Sequence, residues 1–222
     1  MSYLNNDDSL KRYKEKMGED LGELYNAIKN IALELQLKYQ KYIALFGSAK
    51  SVEALYKFAP GFFYYIQNIL FDDLILHINK LFADPGSGNK KVLCFNCLLE
   101  KITDEEELKE NIKKILDVCN KKKVFTDIRR NKYIAHTDYH LFLGKEEYDI
   151  SINPDDIKEM IDHTWEIIDC IEYFYFKACT INHVYQVNLD FEKLLKNINH
   201  FYNNVGLKKI IDIECKQKGN TQ

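Results

Sequence analysis

Proline and glycine are scarce, with 3 and 9 residues in a chain of 222. Strand-rich folds use both at their many turns, so the scarcity argues for long helices joined by few connections. Long apolar runs are missing too. The longest candidate, Ala59 to Leu81, is broken by Gln67, Asn68, Asp72, Asp73 and His77, so no membrane contact is expected. The stretch Met1 to Lys16 is polar and lacks an apolar h-region, which predicts no signal peptide. The six cysteines are then expected to be reduced thiols of a cytoplasmic protein rather than a disulfide framework. A charge excess of one sign is also absent. The formal net charge is −3, so no global basic field marks a nucleic-acid binder, and such a role has to rest on a local patch.

What is present is a globular composition, 46% hydrophobic and 29% charged, with 15 tyrosines and 13 phenylalanines. Residues 1–18 read as a polar lead-in containing a weak helix, Asp7 to Met17, whose join to the next helix is loosened by Gly18 and Gly22. A long helix follows from about Asp20 to Leu45, on the helical spacing of Leu21, Leu24, Ile28, Ile31, Leu35, Tyr39 and Tyr42. A second helix starts near Ser48 and breaks at Pro60-Gly61, since proline lacks the backbone donor and disfavours helix at Ala59. Gly61 to Phe82 resumes with a wide apolar stripe, as expected of a central helix. Asp84 to Gly88 is the clearest loop. Lys90 to Ile102 reads as a short helix. Thr103 with Glu106 suggests a capping box for a helix through Leu108, Ile112 and Ile115. Lys121 to His136 reads as a further helix. Thr137 to Ser151 suggests a loop with local β character at Tyr139 to Phe142 and Tyr148 to Ile152. Asn153-Pro154 is a strong start signal for a helix to about Thr180. In residues 183–222, Asp190 is expected to cap a last helix, Phe191 to Tyr202, before a polar, frayed tail.

One segment concentrates positive charge. Asn120 to Lys132 holds Lys121, Lys122, Lys123, Arg129, Arg130 and Lys132 against Asp127 alone, and His136 follows in Ala-His-Thr-Asp. Guanidinium binds phosphate bidentately and stabilises a pentavalent phosphorus, and histidine moves protons near neutral pH. The pattern therefore suits cleavage of a phosphodiester. On a straight α-helix Arg129 and His136 share a face, with Arg130 about a third of a turn away. The bland alternatives are a helix-terminal His136 stabilised by the macrodipole, and Asp72, Asp73 and His77 as a solvated face or as polar groups satisfying one another.

These residues resemble the HEPN superfamily. Its ribonuclease members carry Arg, a polar residue, a few more residues and then His on a helix of an all-α bundle, matched here by Arg130-Asn131 and His136. The long helix ending Phe46-Gly47, the aromatic helix after Pro60, and Asp72-Asp73-Leu74-Ile75-Leu76-His77 before Asp84-Pro85 are similar to the AbiU-type abortive-infection branch. The sequence departs from that branch at Lys80, where its pattern has arginine. The resemblance implies an all-α, up-and-down helical bundle over residues 19–182, with a long N-terminal helix and an extra C-terminal helix.

It also implies a metal-independent endoribonuclease of a toxin–antitoxin or phage-defence system, cutting RNA by 2′-OH transesterification in a homodimer cleft. His136 would then act as general base or acid, Arg130 would hold the phosphate, and Asn131 would orient it. Arg129, Asp73 and His77 would support them, and Lys121, Lys122, Lys123 and Lys132 would follow the RNA backbone. Tyr139 is a candidate modification site, because some HEPN toxins are silenced by nucleotidylation of a tyrosine just beyond the histidine. RNA, a second copy of the chain and a cognate antitoxin are the expected partners. The alternative is a non-catalytic HEPN module that dimerises and binds RNA, a nucleotide or an effector protein. No cofactor or metal is expected, since Cys94-x-x-Cys97 lacks the two further ligands of a zinc site and reads as buried thiols.

Overall fold

The computed structural model describes residues 7–88, 91–103, 105–134, 139, 143–145, 153–178 and 188–204. Among the described residues the chain is all-α, with helices and turns and no strand. The helices are α1 (Asp7–Met17), α2 (Glu19–Phe46), α3 (Ala49–Phe58), α4 (Pro60–Leu81), α5 (Phe95–Lys101), α6 (Glu106–Lys122), α7 (Val124–Arg129), α8 (Pro154–Phe176) and α9 (Asn188–Asn204). A π-helical turn, Arg130–Ile134, continues from α7. No helix among them is long and apolar enough to cross a membrane.

Local chemistry sets most boundaries. Ser48 caps α3, its hydroxyl accepting from the Ser51 N–H at 3.1 Å. Proline places the break before α4: Ala59 leaves helical geometry at φ −151°, and α4 opens on Pro60. Asn153 caps α8 through Oδ1, which accepts from the Asp155 N–H at 3.1 Å, with Pro154 in the first turn. Lys177 closes α8 in a left-handed conformation at φ 52°.

Several boundaries differ from the sequence reading. The short helix is confined to α5, with Cys94 at its N-cap. The expected capping box does not form. Glu106 is the first residue of α6, and Glu105 at the N-cap makes no side-chain cap bond. A capping box needs its glutamate two residues further in, so Glu106 cannot reach back as proposed. Asp190 likewise lies inside α9, which starts at Asn188. At Tyr139 the structure is a helical-type turn, with the Leu143 N–H donating to the Tyr139 carbonyl at 3.2 Å, where β character was expected. The stretch Tyr148 to Ile152, where β character was expected, and the polar tail lie outside the described residues.

The chain divides into two compact units. The first comprises residues 1–36 and 72–183. Its buried set draws on α2 (Tyr25, Ile28, Leu35), α4 (Leu74, Ile75, Ile78), α6 (Ile112, Leu116) and α8 (Ile161, Trp165, Ile168). Burying each such side chain contributes about 1.5–3 kcal/mol. Trp165 is a core residue, and its indole N–H donates to Gln36 Oε1 at 2.9 Å. The second unit comprises residues 37–71 and 184–222, built on Leu45, Phe46, Leu55, Phe63 and Ile198.

A polar network is sealed inside the first unit. The Tyr25 hydroxyl donates to Glu172 Oε1 at 2.9 Å. The Lys29 ammonium pairs with the same carboxylate and donates to the Tyr13 hydroxyl at 3.1 Å. Tyr13 stacks edge-on against Tyr25 and Phe176, which docks α1 onto α2 and α8.

Gly22 is the close-approach point of that docking, not a loosened joint. A Cβ there would meet the Lys14 nitrogen and the Tyr13 carbonyl carbon at 2.6 Å, both backbone atoms that cannot rotate aside. Gly22→Ala should therefore destabilise the chain. Overpacking costs about 1–3 kcal/mol, more than the roughly 1 kcal/mol that alanine gains as a helix former. Urea unfolding checks this, and an unchanged or higher midpoint contradicts the close approach.

Candidate active site

The basic segment is built from the junction of α6 and α7. Lys123 ends α6 and starts α7, and the buried Thr126 hydroxyl donates to the Lys123 carbonyl at 2.7 Å. Lys121 to His136 is therefore not one straight helix. After Arg129 the chain widens into the π-turn, whose longer hydrogen-bond step changes which residues share a face. The straight-helix alignment of Arg129 with His136 assumed a uniform turn, which the chain does not keep from Arg130 to Ile134. His136 itself lies outside the described residues.

The two neighbouring arginines have different environments. Arg129 is nearly buried, with its side chain 12% exposed. Its Nη2 and Nε lie 2.6 and 2.7 Å from Asp72 Oδ1 on α4, and its guanidinium sits 5.8 Å from the Tyr133 ring centre. Asp72 thus neutralises Arg129 and ties α7 to α4. Arg130 instead donates through Nε and Nη2 to Asn131 Oδ1 at 2.9 and 2.7 Å. An amide oxygen orients a guanidinium without cancelling its charge. Arg130 has no carboxylate partner among the described residues, whereas Arg129 is anchored to Asp72.

The supporting residues form a second cluster. His77 is buried, with Nδ1 3.0 Å from the Asp73 carbonyl oxygen and 3.3 Å from Asp73 Oδ1. Its Nε2 lies 3.5 Å from Glu34 Oε1 on α2. Of the lysines expected to follow RNA, Lys122 pairs with Glu159 of α8 and Lys123 donates to the Phe82 carbonyl at 2.9 Å. Lys121 is exposed. Tyr139 is 65% exposed, with the Lys145 ammonium 5.3 Å from its ring centre.

Sequence reasoning did not assign Arg129 to Asp72 or His77 to Glu34. The only signal for the first was an acid-rich Asp72-Asp73 pair inside an apolar helix, and nothing marked Glu34. Among the described residues no group of three His, Cys, Asp or Glu side chains is placed to hold a metal ion.

The chain belongs to the HEPN_AbiU2 (AbiU2) family, whose match covers residues 18–195. No curated protein and no solved structure matches it.

Proposed function

We propose that the chain is a metal-independent endoribonuclease of a toxin–antitoxin or abortive-infection system, acting in the cytoplasm. The observation that carries this reading is Arg130, a guanidinium oriented by Asn131 and left with its charge. In the proposed reaction the substrate's 2′-OH attacks the adjacent phosphorus and the bond to the 5′-oxygen breaks. The products are a 2′,3′-cyclic phosphate and a 5′-OH. His136 takes or returns the proton, and Arg130 stabilises the charge that develops on the non-bridging oxygens. Lys121 adds charge along the RNA backbone. Arg129 serves by holding α7 on Asp72.

In-line transfer needs a base and an acid on opposite sides of phosphorus, whereas one motif holds a single histidine. A two-fold homodimer supplies two motifs to one cleft. Val124 within the basic segment and Val118 and Tyr133 beside it are exposed and offer area for that partner. The test mixes an Arg130→Ala chain with a His136→Ala chain. Partial cleavage that neither parent shows supports a site composed across two protomers. A mixture of folded chains as inert as its parents contradicts it.

A further inference from the structure

Cys94 and Cys97 lie at the start of α5 with their sulfurs 3.6 Å apart. The backbone turn between them is already closed, the Cys97 N–H donating to the Cys94 carbonyl at 3.1 Å. A disulfide bond requires about 2.05 Å between sulfurs. The two atoms therefore need to approach by only about 1.5 Å, within reach of side-chain rotation. Their environments are unequal. Cys94 is buried, whereas Cys97 is partly exposed and its thiol donates to the Val92 carbonyl at 3.0 Å.

The surroundings hold this turn in place. Phe95 packs on Phe82 with ring centres 5.5 Å apart, Asn96 Nδ2 donates to the Ala83 carbonyl at 3.0 Å, and the Val92 N–H donates to the Pro85 carbonyl at 2.8 Å. Phe82 also accepts from Lys123, at the α6–α7 junction that leads into the basic segment. Of the other described cysteines, Cys119 is buried, and that burial pushes its thiol up to about 12.

We propose that Cys94 and Cys97 form a reversible dithiol–disulfide site that exchanges with a small-molecule disulfide of the glutathione class. The Cys97 thiolate attacks one sulfur of the oxidant, whose S–S bond breaks and releases one small thiol. A mixed disulfide remains on Cys97. Cys94 then loses its proton and attacks Cys97 Sγ, which expels the second small thiol. Two protein thiols and one disulfide thus become one protein disulfide and two small thiols, with two electrons passing to the oxidant. The closed loop is very short, so the bond constrains little of the unfolded chain. That is the profile of a labile, exchangeable disulfide rather than a structural one. Burial pushes the Cys94 thiol up to about 11, so the ring-closing step should accelerate about tenfold per pH unit across the neutral range.

The test equilibrates the full-length protein with oxidised and reduced glutathione at several ratios. It is then acid-quenched, alkylated and digested with trypsin, which yields Val92 to Lys101 as one peptide. The expected result is a peptide lighter by two hydrogens, resistant to alkylation and restored by reduced glutathione. This peptide should persist in Cys119→Ser and Cys170→Ser and vanish in Cys97→Ser. Cys94→Ser should instead trap glutathione on Cys97. An alkylated dithiol at every ratio, or a glutathione adduct on Cys97 of the otherwise unaltered chain that never resolves, overturns the proposal. Neither outcome depends on ribonuclease activity.

Discussion

His136→Ala should lower RNA cleavage by about two to four orders of magnitude, the usual contribution of a positioned proton-transfer group. RNA affinity should stay within a few-fold, because the proposal assigns the attraction of phosphate to Arg130 and Lys121 and not to His136. Arg130→Ala should cost cleavage about two to three orders of magnitude, as for loss of a group facing developing oxyanion charge. Its stability should scarcely change, since the only described bonds its guanidinium makes are to the adjacent Asn131. Arg129→Ala should behave in the opposite way. It strands Asp72 and loosens α7 from α4, so thermal stability falls first and activity follows. Initial rates and affinities measured beside melting curves separate the two arginines. An Arg129→Ala chain that is fully stable but inert, beside an active Arg130→Ala chain, would reverse their roles.

Glu172→Ala should strongly destabilise the first unit. It removes the partner of Lys29 and the acceptor of Tyr25, leaving a cation only 15% exposed without its counter-ion. Breaking a buried pair from one side costs about 3–5 kcal/mol. For a chain of this size that is a fall in Tm of about 6–20 °C. Replacing both members together, as Lys29→Met with Glu172→Leu, should recover most of the loss, because no lone charge remains.

The same network sets an alkaline limit. Burial, reinforced by Glu172, raises the Tyr25 hydroxyl far above its ordinary value. Burial opposes the Lys29 ammonium, but its bonds to Glu172 and Tyr13 prevail and hold it above its usual range. Unfolded tyrosine releases its proton near pH 10, while folded Tyr25 retains its own, so stability falls as pH rises from about 10. Lys29 acts in the same direction, its contribution being lost as pH passes its raised folded value. Denaturant midpoints between pH 8 and 11 test the slope, which Tyr25→Phe should flatten.

Helix content and most boundaries were legible because they depend on local chemistry. The break before Pro60, the Asn153-Pro154 start and the apolar spacing of α2, α4 and α8 all act within a turn or two of chain. The failures involve competing local options or distant partners. Thr103 and Glu106 had the spacing of a capping box, yet α6 starts too late to use it. Gly22 read as a loose joint because its cause, the backbone of α1, lies on another helix. In the site, Arg130-Asn131 was legible as a motif. The difference in environment between Arg129 and Arg130 was not, since it depends on Asp72 from α4. Periodicity assumes a uniform 3.6-residue turn, so it gave no sign of the π-turn at Arg130–Ile134.

The central claim is that the Arg-Asn and His motif cuts RNA without a metal. It is tested most directly by incubating the purified wild-type chain with single-stranded RNA in excess EDTA and analysing the product ends. The account predicts cleavage that leaves 2′,3′-cyclic phosphate and 5′-OH ends, with none in a 2′-deoxy substrate. Binding of the same RNA with no cleavage in EDTA would contradict it and make the chain an RNA-binding HEPN module.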